Sequence, residues 1–201
     1  MRGSASLEER LREADRYFMG RGSVREAALR IARLLAGEGI DYAIAGALAC
    51  AAHGHERLTT DVDILLTPES LRRFKASWLG RGYAEVAQGL KAVRDTQEDV
   101  KLDFLLTGDY PGDGLPKPVA FPAPASVAEE HGALRVVSLP ALLELKIASG
   151  MSAPHRMRDL DDAMRLIKAN GLDRSYADRL NPWVREKFAE LWALAQVVED
   201  Y

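Results

Sequence analysis

Two aspartates stand one residue apart in "DVDILL", residues 61 to 66, whose other members are those of a buried β-strand. Side chains two apart on a strand project from the same face, their Cα atoms about 6.5–7 Å apart. Asp61 and Asp63 therefore point together, while Val62, Ile64 and Leu66 line the opposite face. A second run, "VKLDFLL" at 100 to 106, sets Leu102, Phe104 and Leu106 to one side and Asp103 to the other. If these strands are neighbours, three carboxylates converge on one patch. Buried or crowded carboxylates need a cationic partner to stay ionised. Hard divalent cations that prefer oxygen, chiefly Mg2+, suit such a donor set, with substrate phosphates completing the coordination. Two such ions about 3.5–4 Å apart stabilise the attacking and leaving oxygens of a phosphoryl displacement.

A D-x-D pair arises easily by chance, and the chain holds a second, Asp159-Leu160-Asp161. That copy lies in a helical pattern, where residues two apart point to different sides and cannot chelate together. Context has to separate the two.

The elements that would position the first pair can be read around it. "LEERLREADRYF" (7–18) and "SVREAALRIARLLAGEG" (23–39) carry apolar residues at helical spacing, with Ser23 as N-cap of the second and Gly37 and Gly39 ending it. "IDYAIAG" reads as a short strand, "ALACAAHG" as a small-residue helix behind it, and "PESLRRFKASWLGRG" as a helix with Pro at its start. "YAEVA" and "KAVRD" read as strands. "DYPGDGLPKPVAFPAP" is a loop, since so much Pro and Gly suits neither a helix nor a central strand. "ALRVVS" returns to strand, and from Leu139 onward the pattern is helical. The change from mixed to helical text places a boundary near Ser138: an α/β domain over 1–138, including the N-terminal helices, and a helical domain over 139–201.

Composition bounds the rest. The 201 residues carry a formal net charge of −3, which excludes nucleic-acid binding driven by bulk positive charge. The single cysteine, Cys50, excludes an internal disulfide and reads as a small core residue. The longest apolar stretch is too short to span a bilayer, and the charged N-terminus lacks the apolar region of a signal peptide. A cytoplasmic location without membrane partners is expected.

Arg57-x-Thr59-x-Asp61-x-Asp63, preceded by Ala45-Gly46-Ala47 at the end of a strand, resembles the nucleotidyltransferase superfamily with the DNA polymerase β-like fold. Within it, the text is most similar to the minimal and AbiEii-type toxin nucleotidyltransferases. "LPALLELKIASG" and "HRMRDLDD" resemble that group's lysine-bearing helix and R-x-[KR]-D segment, so the likeness runs from about Ile40 to Ile167. The resemblance implies a mixed sheet flanked by helices, a helical C-terminal lobe, and transfer of NMP from an NTP to an acceptor hydroxyl with Mg2+ (or Mn2+). Asp61, Asp63 and Asp103 would be the metal-binding and catalytic residues, Asp103 also acting as base or orienter toward the acceptor. Gly46, Ala47, Arg57, Thr59 and Lys146 would contact the nucleotide, with Arg158 and Asp159 in support. Ala47 stands where the family has Ser or Gly, so a phosphate-holding hydroxyl is missing. The acceptors implied are RNA (tRNA) or protein in a toxin-like role with a cognate antitoxin. A small-molecule antibiotic is the alternative, and a non-catalytic NTP-binding module a third reading.

Lys146 sits among Leu142, Leu143, Leu145 and Ile147, and either snorkels to the surface or faces a site. Arg156 and Arg158 with Asp159, Asp161 and Asp162 read most simply as surface pairs of small energetic weight. His53 and His55 read as turn residues near a base or ribose; a zinc site would want more partners at regular spacing. Trp192 with Phe188 and Leu191 reads as a core stripe.

Overall fold

The computed structural model describes residues 23–197; the helix expected over 7–18 lies outside them. Helix α1 (Ser23–Gly37) buries Val24, Ala27, Ala28, Ile31 and Leu35, one stripe at helical spacing, and Gly39 with φ +62° turns the chain toward the sheet. Next come β1 (Ala43–Ile44), α2 (Gly46–Ala52), β2 (Asp61–Leu66), α3 (Pro68–Trp78), β3 (Tyr83–Glu85), β4 (Ala92–Asp95) and β5 (Val100–Leu106). The loop after β5 leads to a single turn, α4 (Pro124–Val127), then β6 (Ala128–His131) and β7 (Leu134–Val137). Helices α5 (Leu139–Ser152), α6 (Met157–Ala169) and α7 (Arg185–Ala195) complete the chain, joined by 3-10 turns.

The strands form one seven-stranded mixed sheet in the order β3-β4-β5-β2-β1-β7-β6. β2 runs parallel to β5 and antiparallel to β1, which runs parallel to β7. β5 obeys the expected alternation throughout, and β2 obeys it from Asp61 to Ile64, after which Leu65, on the aspartate face, is fully buried as well. In β5, Val100, Leu102, Phe104 and Leu106 are buried, and in β2, Val62, Ile64 and Leu66 are fully so. Thr67 caps α3 by accepting from Ser70 N at 3.1 Å, and Phe74 of that helix packs on Phe104, ring centroids 5.5 Å apart. Asp95, fully buried, accepts from Arg30 Nε at 2.9 Å and so ties α1 to β4.

The strand expected over 40–46 pairs at only two residues, although its side chains are buried. β6 was not expected. "AEEH" has little β propensity, and it survives as an edge strand because it pairs in a hairpin with β7. The last helix is shorter than its pattern, since Pro182–Val184 form a 3-10 turn before it. Phe188 and Leu191 are buried as expected. The apolar core is continuous across Ser138.

Candidate active site

Because β2 and β5 pair in parallel, Asp63 stands directly opposite Asp103 and Asp61 opposite Lys101. The three aspartates line one open cleft of about 1050 Å3, together with Arg57, Thr59, Lys101, Lys146, Arg158 and Asp159. Each carboxylate has different company. Thr59 Oγ1 donates to Asp61 Oδ1 at 2.6 Å, fixing that side chain from within the Arg57-x-Thr59-x-Asp61 turn. Lys101 Nζ, two residues along the same face of β5, donates to Asp103 Oδ2 at 2.7 Å. Asp63 has no side-chain hydrogen bond or ion pair among the described residues. Burial first, then the charges of Asp61 and Asp103, push its carboxyl up to about 6, against the pull of Lys146 and Arg57.

Gly46, the first residue of α2, has φ +57°, and a Cβ there would lie 1.8 Å from Asp63 Oδ2. The glycine is thus required twice, by its left-handed backbone and by the carboxylate leaning over it. It also lines a second cavity of about 350 Å3, between Asp63 and the Pro-rich loop. Ala47 is buried and lines neither cavity.

Three carboxylates against one ammonium leave two negative charges without a side-chain ion partner, and all donors are oxygen. A hard divalent cation fits that chemistry. The aspartates are not closed into a ready cage: among the described residues, His53, Glu129 and His131 are the group whose three ligand atoms lie within 4.8 Å of one another. Asp61 and Asp63 with substrate phosphate oxygens would suffice for Mg2+, which is often bound by one or two carboxylates.

Beside this patch lies a network of a different kind. Lys146 Nζ donates to Asp159 Oδ1 and to Asp162 Oδ2, both at 2.7 Å, and Ser149 Oγ donates to Asp159 Oδ2 at 2.6 Å. Arg57 Nε lies 3.0 Å from Asp162 Oδ1, and His55 Nε2 3.3 Å from the same oxygen. Burial alone would lower the Lys146 ammonium, but Asp159, Cys50 and Asp162 hold it above its ordinary value. Burial would likewise raise Asp162, yet Lys146 and Arg57 hold it below. Close contact between α5 and α6 makes the network possible: a Cβ on Gly150 would sit 2.4 Å from Leu160 Cγ.

The surface-pair reading of Asp159 and Asp162 is therefore corrected: Asp162 is fully buried and Asp159 nearly so. Two surface pairs remain, Arg156 Nη1 at 3.9 Å from Asp159 Oδ2 and Asp161 accepting from Arg165 Nε at 2.9 Å. Asp162 was missed as a site residue, although a signal existed. Asp159, Asp162, Ala163, Leu166 and Ile167 form a single helical stripe, and two acids on an apolar stripe demand buried cations. Lys146 faces the cleft rather than snorkelling away, with one N–H left after its two carboxylate bonds. Arg158 lies at the cleft mouth, and no ion pair engages it among the described residues. His55 belongs to the network, and His53 does not reach the cleft.

No protein-family model and no curated protein sequence matches the chain. Solved structures match its shape. ANT(2'')-Ia, solved in complex with adenylyl-2''-tobramycin, superposes with a TM-score of 0.52 over 87% of this chain and 96% of its own, at 15% identity. The chain has the nucleotidyltransferase fold. A solution structure of the antibiotic-resistance factor ANT(2'')-Ia gives 0.50 over 86% and 91% of the two chains, at 14% identity. An antigenic nucleotidyltransferase-like protein from Paracoccidioides brasiliensis covers 72% of this chain and 75% of its own, at 18% identity and a TM-score of 0.48. At these identities the likeness to ANT(2'')-Ia is one of fold, and it agrees with the mixed sheet and flanking helices found here. Among the described residues no helix is long and apolar enough to cross a membrane.

Proposed function

We propose that this protein is a Mg2+-dependent (or Mn2+-dependent) nucleotidyltransferase that moves NMP from an NTP to an acceptor hydroxyl and releases pyrophosphate. The observation that carries this reading is the convergence of Asp61, Asp63 and Asp103 on adjacent strands with two negative charges uncompensated. A metal held there would supply charge neutralisation to the triphosphate and to the patch. Asp61, steadied by Thr59, and Asp63 would be its main ligands. Asp103 orients the acceptor hydroxyl and accepts its proton, with Lys101 as the cation beside it. The free N–H of Lys146 and the Arg57 guanidinium, whose Nη1 donates only a long 3.4 Å bond to the Leu58 carbonyl, would meet the phosphates, and Asp162 keeps both in place. Helices α5 and α6, in the C-terminal helical part of the chain, bring Lys146 and Asp159 to the cleft. Without a hydroxyl at Ala47, the phosphates are left to backbone N–H groups and these cations. Such chemistry rests on positioning and charge rather than on a reactive nucleophile.

The acceptor we favour is anionic, RNA (a tRNA end) before protein. Arg57, Lys91, Lys101, Arg156 and Arg158 line the cleft, and Arg158 is uncommitted. In the smaller cavity Asp113 and Asp159 are already paired with Lys117 and Lys146, and the third carboxylate, Asp63, is the one given to the metal, which leaves little negative charge for a cationic drug. A toxin-like cytoplasmic role with a cognate antitoxin is what the resemblance to the AbiEii-type nucleotidyltransferases adds to that acceptor. A small-molecule acceptor is the second reading, favoured by the adenylyl-tobramycin complex of the structural neighbour.

Label transfer tests both. The protein is incubated with Mg2+ and each of four α-32P NTPs, with cell RNA, protein extract or an antibiotic panel as acceptor, and with Asp61→Asn as control. Label on RNA that the variant fails to add is expected. Label on an antibiotic alone would establish the second reading. No label in any lane, with no NTP binding by folded protein, would leave only a non-catalytic module.

A further inference from the structure

We propose a second metal site, at the β6 edge of the sheet and away from the central carboxylates, in which His53, Glu129 and His131 bind a transition-metal ion of the Zn2+ class. One ring nitrogen of each histidine and one carboxylate oxygen of Glu129 all lie within 4.8 Å of one another. Glu129 and His131 are two apart on β6 and share a face, while Glu130 between them pairs with Arg135 on the other. Strands β7 and β1 separate β6 from β2, so this cluster is distinct from the nucleotidyl-transfer site.

His53 is held as a metal ligand would be. It caps the C-terminal end of α2, and its own carbonyl accepts from Asn170 Nδ2 at 2.8 Å. Its Nε2 lies 2.8 Å from the Val137 carbonyl. A carbonyl can only accept, so Nε2 carries the hydrogen and Nδ1 keeps its lone pair. That arrangement, one ring nitrogen donating to a backbone carbonyl while the other is free, is how ligating histidines are oriented. The His131 ring stands edge-on to it, centroids 5.1 Å apart and planes at 76°. Neither the Glu129 nor the His131 side chain makes a hydrogen bond or ion pair among the described residues, so both are free to turn inward while the hairpin backbone stays paired.

Two imidazole nitrogens and one carboxylate oxygen suit Zn2+ and its neighbours in the transition series, and suit Mg2+ poorly. Three protein ligands leave a fourth position for water. Bonds of about 2.0–2.2 Å require the three atoms to draw closer than they stand, which surface side chains achieve by rotation. The ion would pin the β6–β7 hairpin to the far end of α2, the helix that begins at Gly46.

Zinc chloride is titrated into the full chain in excess Mg2+ by calorimetry, with Co2+ absorption as a second probe. The proteins are wild type, Asp61→Asn, Glu129→Gln and His131→Ala, each checked for folding by circular dichroism. One equivalent of Zn2+, a visible Co2+ band and a raised Tm are expected for wild type and Asp61→Asn alike. His131→Ala should lose all three, and Glu129→Gln, which preserves shape, should weaken affinity roughly tenfold. Absence of stoichiometric binding to wild type overturns the site. So does binding that survives His131→Ala and Glu129→Gln, or that disappears with Asp61→Asn.

Discussion

The carboxylate patch on β2 and β5 and the ion network between α5 and α6 lie side by side, and they treat charge in opposite ways. In the network, two carboxylates, Asp159 and Asp162, meet two cations, Lys146 and Arg57, and Ser149 fills a remaining acceptor position. In the patch, three carboxylates meet only Lys101, and Asp63 is pushed up to about 6 by burial and by its acidic neighbours, with no direct ion partner to offset them. A balanced cluster is complete as it stands and serves as scaffold. An unbalanced one is complete only with a ligand, and its cost to the fold marks the place where function was favoured over stability.

The largest effect should come from unbalancing the network. Asp162→Ala removes the shared partner of Lys146, Arg57 and His55 and leaves buried positive charge, a change that typically costs about 3–5 kcal/mol. Chemical denaturation should show that loss, with little restored by Mg2+. A variant as stable as wild type would mean that Asp159 alone suffices for Lys146.

The patch should respond with the opposite sign. Asp63→Asn removes an unpaired buried charge, so metal-free protein should gain stability near pH 7 while nucleotidyl transfer falls on the order of 10³-fold. The pH dependence sharpens this. The folded value of about 6 exceeds the unfolded value of about 3.9, so the folded state holds the proton more tightly. Its stabilising contribution is full below about pH 4 and is lost as the pH rises through about 6, a change of roughly 3 kcal/mol. Wild-type Tm in EDTA should therefore fall across that window while Asp63→Asn stays flatter. Mg2+ should restore the wild type above pH 6 and do little below pH 5, because its ligands must be deprotonated. Equal slopes for both proteins would show that Asp63 is not the group responsible.

How much of this contrast was legible in the sequence follows from the range of each signal. The patch was legible because strand alternation is local and strict: one residue's shift would have sent Asp61, Asp63 and Asp103 into the core. The pairing of β2 with β5, and hence the meeting of Asp63 with Asp103, was only conditional, since strand order is set by distant contacts. The network was largely hidden. Lys146, Asp159 and Asp162 can be placed on helices, but their meeting depends on the approach that Gly150 allows, and Arg57 arrives from a turn about a hundred residues earlier. Lys101 shares a strand face with Asp103, but a lysine there fits a solvated surface as well as a counter-ion, and only the geometry separates the two. His53, Glu129 and His131 show the same limit: His53, at the end of α2, lies far along the chain from the other two, which sit on a strand whose composition conceals it.

The smallest effect tests the one pair that joins the two kinds of site. Lys101 is 39% exposed, so its bond to Asp103 should contribute under about 1 kcal/mol to stability, and Lys101→Met should unfold almost as wild type does. Its functional consequence is sharper. Lys101 competes with any divalent cation for Asp103, and losing it makes the patch more negative. The Mg2+ concentration giving half-maximal rate should therefore fall about two- to fivefold, the equivalent of up to about 1 kcal/mol. The maximal rate should fall as well, because the acceptor-orienting carboxylate has lost its nearest cation. If the Mg2+ requirement rises instead, Lys101 assists binding of the metal-bound triphosphate rather than restraining Asp103. The patch would then resemble the network more closely than its charges suggest.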